Sequence, residues 1–305
     1  MDDLTKRGNH ILSVRAGVAL LVPAFVFIGL FLFFPFIWVF LISFTNRTLL
    51  GAAAQDPEFV GLGNYLRLFD FSRWMRSGEF GHSLYLTVIF VIGSLIGQVT
   101  LGLAIAFAFN RRRGKLRELI YTLVTLAWIL PETAIGFTWT AFLDGRRGTL
   151  NAILGAFGIE GVEWLLEFPL LSITVFNIWR GTAFSMLLFS AALGNIRPSY
   201  LETADVAGAG PWQRFRDIMF PLISPQFVTA LVLVTLWTFN VFTPFLLTGG
   251  GPAFGSDIIA IHTYRVAFQF FEFGRGSAIA VIVMTINLIL AASYLFGLKR
   301  KEVAT

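Results

Sequence analysis

Two ionisable side chains stand alone in apolar surroundings: Glu132, directly after Pro131 in the run Leu119 to Leu143, and Arg180 in the run Phe168 to Ile196. A charge in such a setting is costly to bury, so it faces a bundle interior or a water-filled cavity and is a functional candidate by default. Opposite charges at similar depth can also pair with each other at little net cost, and the sequence leaves both readings open. Helical spacing gives each run a stripe of polar or small residues. Glu132 and Gly136 are i, i+4; Asn177, Gly181 and Phe184 are i, i+4, i+7 with Arg180 beside them; Leu233, Trp237 and Asn240 repeat that spacing. Such stripes can line a cavity, although Gly in a membrane helix also serves as a packing contact and Trp as an interfacial anchor.

Other chemistries lack their residues. There is no cysteine, and His10, His82 and His262 are too far apart for the i, i+4 spacing of a helical metal site. No His/Asp/Glu cluster or Ser/Lys pair sits at a depth suited to an intramembrane enzyme. "RRRGKL" lacks the spacing of a Gly-x-x-x-x-Gly-Lys-[Ser/Thr] loop and "TGGGP" lacks its Lys, so the chain is expected not to hydrolyse ATP by itself.

The elements that position these residues are membrane helices. The chain has 305 residues, 56% of them hydrophobic and 13% charged, with a mean hydropathy of +0.75; soluble domains carry about 25% charged residues. Charge-free runs extend from Ala16 to Asn46, Ser83 to Asn110, Ile218 to Ser256 and Gly276 to Leu298. With the runs around Glu132 and Arg180, each long enough for the roughly 20 residues of a crossing, they predict six transmembrane helices, near 16–44, 84–109, 119–143, 169–194, 222–247 and 277–298. The fold class is therefore an all-α integral membrane protein, a single transmembrane domain over 1–305. Lys6, Arg7 and Arg15 precede the first run as in a signal peptide, but the run is long and lacks a small-residue cleavage site, which reads as a retained helix.

Six crossings put both termini on one side. If that side is the cytoplasm, the inside segments hold 14 of the 23 Lys and Arg and the outside ones 8, with the densest cluster (Arg111, Arg112, Arg113, Lys115, Arg117) in a short inside loop. Both ends are accordingly expected to be cytoplasmic. Topology then explains the net charge of +5, and no nucleic-acid partner is needed. The segment 195–221 becomes a cytoplasmic loop. Pro198 suits a first helical turn, Gly208 and Gly210 a helix end, Pro211 a new start and Pro221 a stop, so two short helices joined by a Gly-Ala-Gly turn are expected. They could form an amphipathic hairpin on the membrane surface or a docking element for a cytoplasmic partner.

Within that loop Glu202, Ala204, Gly208 and Ala209, followed by Phe215, Ile218 and Pro221, are similar to the Glu-Ala-Ala loop of ATP-binding-cassette importer permeases. Thr203 departs from the family's middle Ala, and Ala207 stands where an Asp usually precedes the Gly. "FVGLGNYLRLF" (59–69), "GTLNAILGAFGI" (148–159), "NIWRGTAFSM" (177–186) and "LLTGGGP" (246–252) resemble the sugar-importer branch related to the maltose permeases, and the likeness covers nearly the whole chain.

The resemblance implies a type I importer permease fold in a bacterial inner membrane. It implies that the loop, through Glu202, Thr203, Ala204, Asp205, Gly208, Ala209 and Pro221, couples to an ATPase dimer that binds ATP and Mg, with Glu202 as polar anchor and Gly208 as tight turn. This chain would hold no cofactor of its own. Further implied partners are a second permease, as a heterodimer, an extracytoplasmic solute-binding protein, membrane lipid and a sugar cargo, neutral or anionic. Glu132, Gly136, Asn177, Arg180, Gly181, Phe184, Leu233, Trp237 and Asn240 would border the cargo pathway, sugar hydroxyls bonding to carboxylate, amide and guanidinium groups and sugar C–H faces stacking on rings. The rival class is an ion-gradient-driven secondary transporter, which usually shows internal repeats and several coupling carboxylates; no repeat is evident, and Glu132 is the one carboxylate at mid-membrane.

Overall fold

The computed structural model describes residues 14–110, 112 and 114–302, with the side chains of 18–110, 112 and 114–294. His10 and four of the basic residues used for topology (Lys6, Arg7, Arg111 and Arg113) lie outside the described residues, as do the side chains of Arg15, Lys299, Arg300 and Lys301. Among the described residues the structure is helical; a lone bridge between Thr45 and Phe59 is its only β pairing.

Among the described residues five helices are long and apolar enough to cross a membrane, and a bent pair, counted as one span, makes a sixth, the third in chain order. Continuous helices satisfy every backbone N–H and C=O internally, which lipid requires. The first span, Val18–Ile42, leaves large side chains from Leu20 to Leu41 exposed on the outside of the bundle, as a lipid-facing helix does. Its π-turn at Gly29–Phe33 lets the Phe34 N–H reach Gly29 O, one residue further back than in an α-helix, immediately before Pro35. The same device recurs at Phe215–Met219, where the Phe220 N–H reaches Phe215 O just before Pro221. A wide turn there moves aside the carbonyl that a proline ring would otherwise strike. The helix therefore does not stop at Pro221 as the sequence suggests: it runs from Pro211 through this turn into Phe220–Asn240, and the second short helix of the loop is the root of the fifth span.

The third span also departs from expectation. Instead of one helix over 119–143 there are two, Lys115–Ile129 and Glu132–Phe142, bent by 106°. Leu130 is extended (φ −59°, ψ 145°) because it precedes Pro131, whose ring disfavours helical geometry in the residue before it. Glu132 thereby becomes the first residue of the second half-helix rather than a side chain midway along a continuous one.

At the centre of the bundle the second span, Phe80–Phe109, lies against the fourth, Pro169–Gly194. Small residues let the backbones approach. A Cβ added at Gly93 would lie 3.1 Å from Thr174 Cγ2, and one at Gly102 would lie 2.5 Å from Ser185 Cβ and 2.7 Å from the Met186 backbone nitrogen. Phe90, Ile173, Phe176 and Ile259 bury the core toward the 241–272 end; Val99, Phe189, Met219 and Ile223 bury it toward the 195–210 end. At the former end the fully buried Asp257 accepts from Ser83 Oγ at 3.1 Å, lies 3.0 Å from His262 Nδ1 and pairs with Arg265 Nη1 at 3.0 Å. Arg265 Nη2 in turn donates to Gly249 O at 3.0 Å, so the glycine-rich loop after the fifth span is fastened to the second.

The close approach of spans two and four predicts that Gly102→Ala, which must push apart two backbones, lowers stability by about 1–3 kcal/mol. A thermal melt of the solubilised protein measures this; Gly155→Ala, where the added Cβ meets nothing within 4 Å, should leave the midpoint unchanged or raise it.

Candidate functional site

The isolated carboxylate and guanidinium meet. Arg180, on the buried face of the fourth span with its side chain 8% exposed, donates from Nη2 to Glu132 Oε1. Its Nη1 donates to Thr243 Oγ1 at 3.3 Å, and Thr243 Oγ1 donates to Glu132 Oε2 at 2.6 Å. The three residues close a triangle that joins the second half of the third span, the middle of the fourth and the segment following the fifth. Glu132 sits in the first turn of its half-helix, where exposed backbone N–H groups favour a negative charge. Its side chain is 53% exposed, so the pair is buried on the arginine side and open on the carboxylate side.

Next to Arg180 lies a small, partly open space of about 20 Å³, bordered by Gln98, Trp128, Asn177, Gly181, Phe184, Trp237 and Thr238. That is room for about one water molecule. The rings of Trp128, Phe184 and Trp237, one each from the third, fourth and fifth spans, stand 5.9–6.1 Å apart centre to centre, mutually tilted. Gln98 Nε2 donates to Asn177 O at 3.1 Å, and its amide occupies the place a Cβ on residue 181 would need, which accounts for glycine there. Asn177 Nδ2 and Arg180 Nε are both buried with no acceptor among the described residues. The wall thus combines three aromatic faces with two unused hydrogen-bond donors, a surface suited to a solute that offers oxygen acceptors and C–H faces.

Five of the nine residues read as pathway-lining therefore converge here (Asn177, Arg180, Gly181, Phe184 and Trp237), and Glu132 joins through its ion pair. The other three lie elsewhere. Gly136 packs against Leu246, whose Cδ1 would be 2.8 Å from an added Cβ. Leu233 is exposed one turn before Trp237 and does not border the space. Asn240 exchanges amide hydrogen bonds of 3.0 and 3.1 Å with Asn287 in a separate apolar groove of about 660 Å³ between the fifth and sixth spans. Gln98, Trp128, Thr238 and Thr243 complete the site without having been singled out from sequence; Gln98 was the most legible, as an amide in the middle of the otherwise charge-free second run.

The 195–221 segment folds as a helix, Pro198–Val206, a turn, and the start of the fifth-span helix at Pro211. Gly208, at φ +73°, ends the first helix with two backbone bonds, Gly208 N–H to Asp205 O at 3.1 Å and Ala209 N–H to Ala204 O at 2.9 Å. This is the Schellman arrangement, which requires a left-handed residue and so favours glycine. Asp205 pairs with Arg214 across the turn, Gln213 Oε1 accepts from the Gly210 N–H at 2.9 Å, and Ala204 is buried beneath. Glu202, Thr203, Gly208 and Pro221 are exposed, as are the neighbouring Val206 and Trp212. The motif thus presents its acidic and apolar residues outward on a rigid hairpin whose second arm continues directly into a membrane span.

Comparison with known proteins fits this geometry. Residues 98–301 match the model of the family described as binding-protein-dependent transport system inner membrane component. Over 300 residues the chain is 29% identical to the sulfoquinovosyl glycerol transport system permease protein SmoG of Agrobacterium fabrum, covering 97% of this chain and 92% of that one. It is 30% identical over 290 residues to the trehalose/maltose transport system permease protein MalF of Thermococcus litoralis, covering 93% of each. A chain in the crystal structure of a bacterial ABC transporter involved in the import of the acidic polysaccharide alginate superposes with a TM-score of 0.79 at 22% identity, covering 93% of this chain and 94% of that one, a likeness of fold. A helical bundle with a broken third span and a glycine-turned hairpin running into the fifth, matched by that family model over well more than half its length, belongs to the binding-protein-dependent inner membrane permeases of ABC importers.

Proposed function

We propose that this permease carries a sugar or sugar derivative, neutral or anionic, along a path bordered by Asn177, Arg180, Gly181, Phe184 and Trp237, with Gln98 and Trp128. The observation that carries the reading is the convergence of three aromatic rings and two unused donors from separate spans on one small space. Relatives named for sulfoquinovosyl glycerol and for trehalose and maltose support a carbohydrate cargo. Ligand sites are commonly about 300–1,000 Å³, whereas this space is about 20 Å³. The conformation is therefore closed to cargo, and the third, fourth and fifth spans must part to admit it.

The work of parting them comes from outside the chain. In this reading both termini and the 195–221 hairpin are cytoplasmic, and the hairpin seats in an ATPase dimer that binds ATP and Mg, with Glu202 as the polar anchor and Thr203, Ala204, Asp205, Gly208, Ala209 and Pro221 holding its shape. Because the second arm is continuous with the span that bears Trp237, a displacement of the hairpin acts directly on the cavity wall. A solute-binding protein delivers cargo at the opposite face, and a second, different permease completes the pathway.

Two measurements on the reconstituted importer test these roles. Asn177→Ala should raise the half-saturating sugar concentration about 3–10-fold, the worth of one hydrogen bond of about 0.5–1.5 kcal/mol, while basal ATP hydrolysis stays unchanged; unaltered uptake kinetics would remove Asn177 from the path. Glu202→Lys should abolish uptake and leave the spans inserted, and normal uptake by that variant would refute the coupling role.

A further inference from the structure

A second cavity, of about 350 Å³, lies where the second span ends and the hairpin begins. Arg112, Arg214 and Asn110 supply its polar rim, and Phe107, Leu201 and Met219 its apolar wall. Leu201 and Met219 are buried, and Phe107 is fixed edge-on to Phe215 at 4.9 Å. Arg112 is exposed and lies over the Phe109 ring at 5.8 Å, with no carboxylate partner among the described residues. Arg214 is tied to Asp205 through Nη1, yet its buried Nε–H has no acceptor among the described residues. In sequence the rim is continuous with the basic run of residues 111–117. An apolar wall behind two guanidinium groups, at the level where a membrane span ends, matches a molecule that is anionic at its head and apolar immediately behind it.

We propose that this cavity seats the phosphate-bearing headgroup of an anionic phospholipid. Arg112 and Arg214 donate to the phosphate oxygens, one of which provides the acceptor that Arg214 Nε lacks, while the glycerol and first acyl carbons lie along Phe107, Leu201 and Met219. With the orientation proposed above, the lipid belongs to the cytoplasmic leaflet; the binding itself does not depend on that orientation. Leu201 stands on the first arm of the hairpin and Pro211 and Arg214 on the second, so a seated lipid braces the arms against the end of the second span.

Native mass spectrometry of the purified full-length chain, with phosphatidylglycerol, phosphatidylcholine or inorganic phosphate added, tests the proposal. The expected result is one phosphatidylglycerol retained at least about five-fold better than phosphatidylcholine, the factor for one basic residue at an anionic surface, and not displaced by inorganic phosphate. Arg112→Gln should remove that preference. Ala108→Phe, which fills the cavity from its own wall without altering charge, should remove it too, with helix content checked by circular dichroism for both variants. Equal retention of the two lipids by the unaltered chain overturns the proposal. A preference lost in Arg112→Gln but kept in Ala108→Phe also overturns it, by showing diffuse attraction to the 111–117 run. Displacement by inorganic phosphate assigns the site to a free anion instead, and loss of the lipid on assembly with the ATPase assigns the cavity to that partner.

Discussion

A charge within a membrane bundle must find its counter-charge inside the protein, and the Glu132–Arg180 pair meets that constraint at the candidate site. Closed into a triangle by Thr243, it connects the second half of the third span, the centre of the fourth and the segment after the fifth. Pro131 makes the triangle possible. By breaking the third span it turns the following half-helix through 106° and delivers Glu132 at a helix start, where its charge is further favoured. Arg180, held on one side by this pair, is left with its Nε–H without an acceptor among the described residues, beside the aromatic wall.

The neighbouring parts differ in how they are held. The second and fourth spans are packed through glycines at backbone distance, and the knot around Asp257 fastens the glycine-rich loop to the second span. The fifth span is different in kind. Its helix begins in the hairpin, passes two prolines and a π-turn, and contributes Trp237 to the cavity. The space beside Arg180 is small, about 20 Å³, and the helix that starts in the hairpin supplies part of its wall.

Much of this was legible from sequence, for identifiable reasons. Apolar run length gave the helical class, because lipid allows few alternatives to a helix. Gly208 announced the left-handed turn that closes the first hairpin helix, and the spacing of Asn177, Gly181 and Phe184 gave one wall of the cavity. Pro131 and Pro221 were harder. Each carries the same steric conflict, but at Pro131 the chain breaks, while at Pro221 a π-turn absorbs the clash, and the choice between them is made by tertiary packing. Gly136 and Asn240 sit at helical spacing with true cavity residues yet face Leu246 and Asn287, since periodicity specifies a face but not what lies across from it. Thr243 lies beyond the helix end, where no periodicity applies.

The most direct test is a double-mutant cycle of Glu132→Gln and Arg180→Gln, read both in sugar uptake by the reconstituted importer and in thermal stability of the solubilised chain. If the pair organises the path, each single change leaves an unmatched group. The double variant should then fall well short of the sum of the two losses, with a coupling of about 0.5–3 kcal/mol. Losses that simply add would contradict the account, showing that Glu132 and Arg180 act separately and that the triangle does not govern the site.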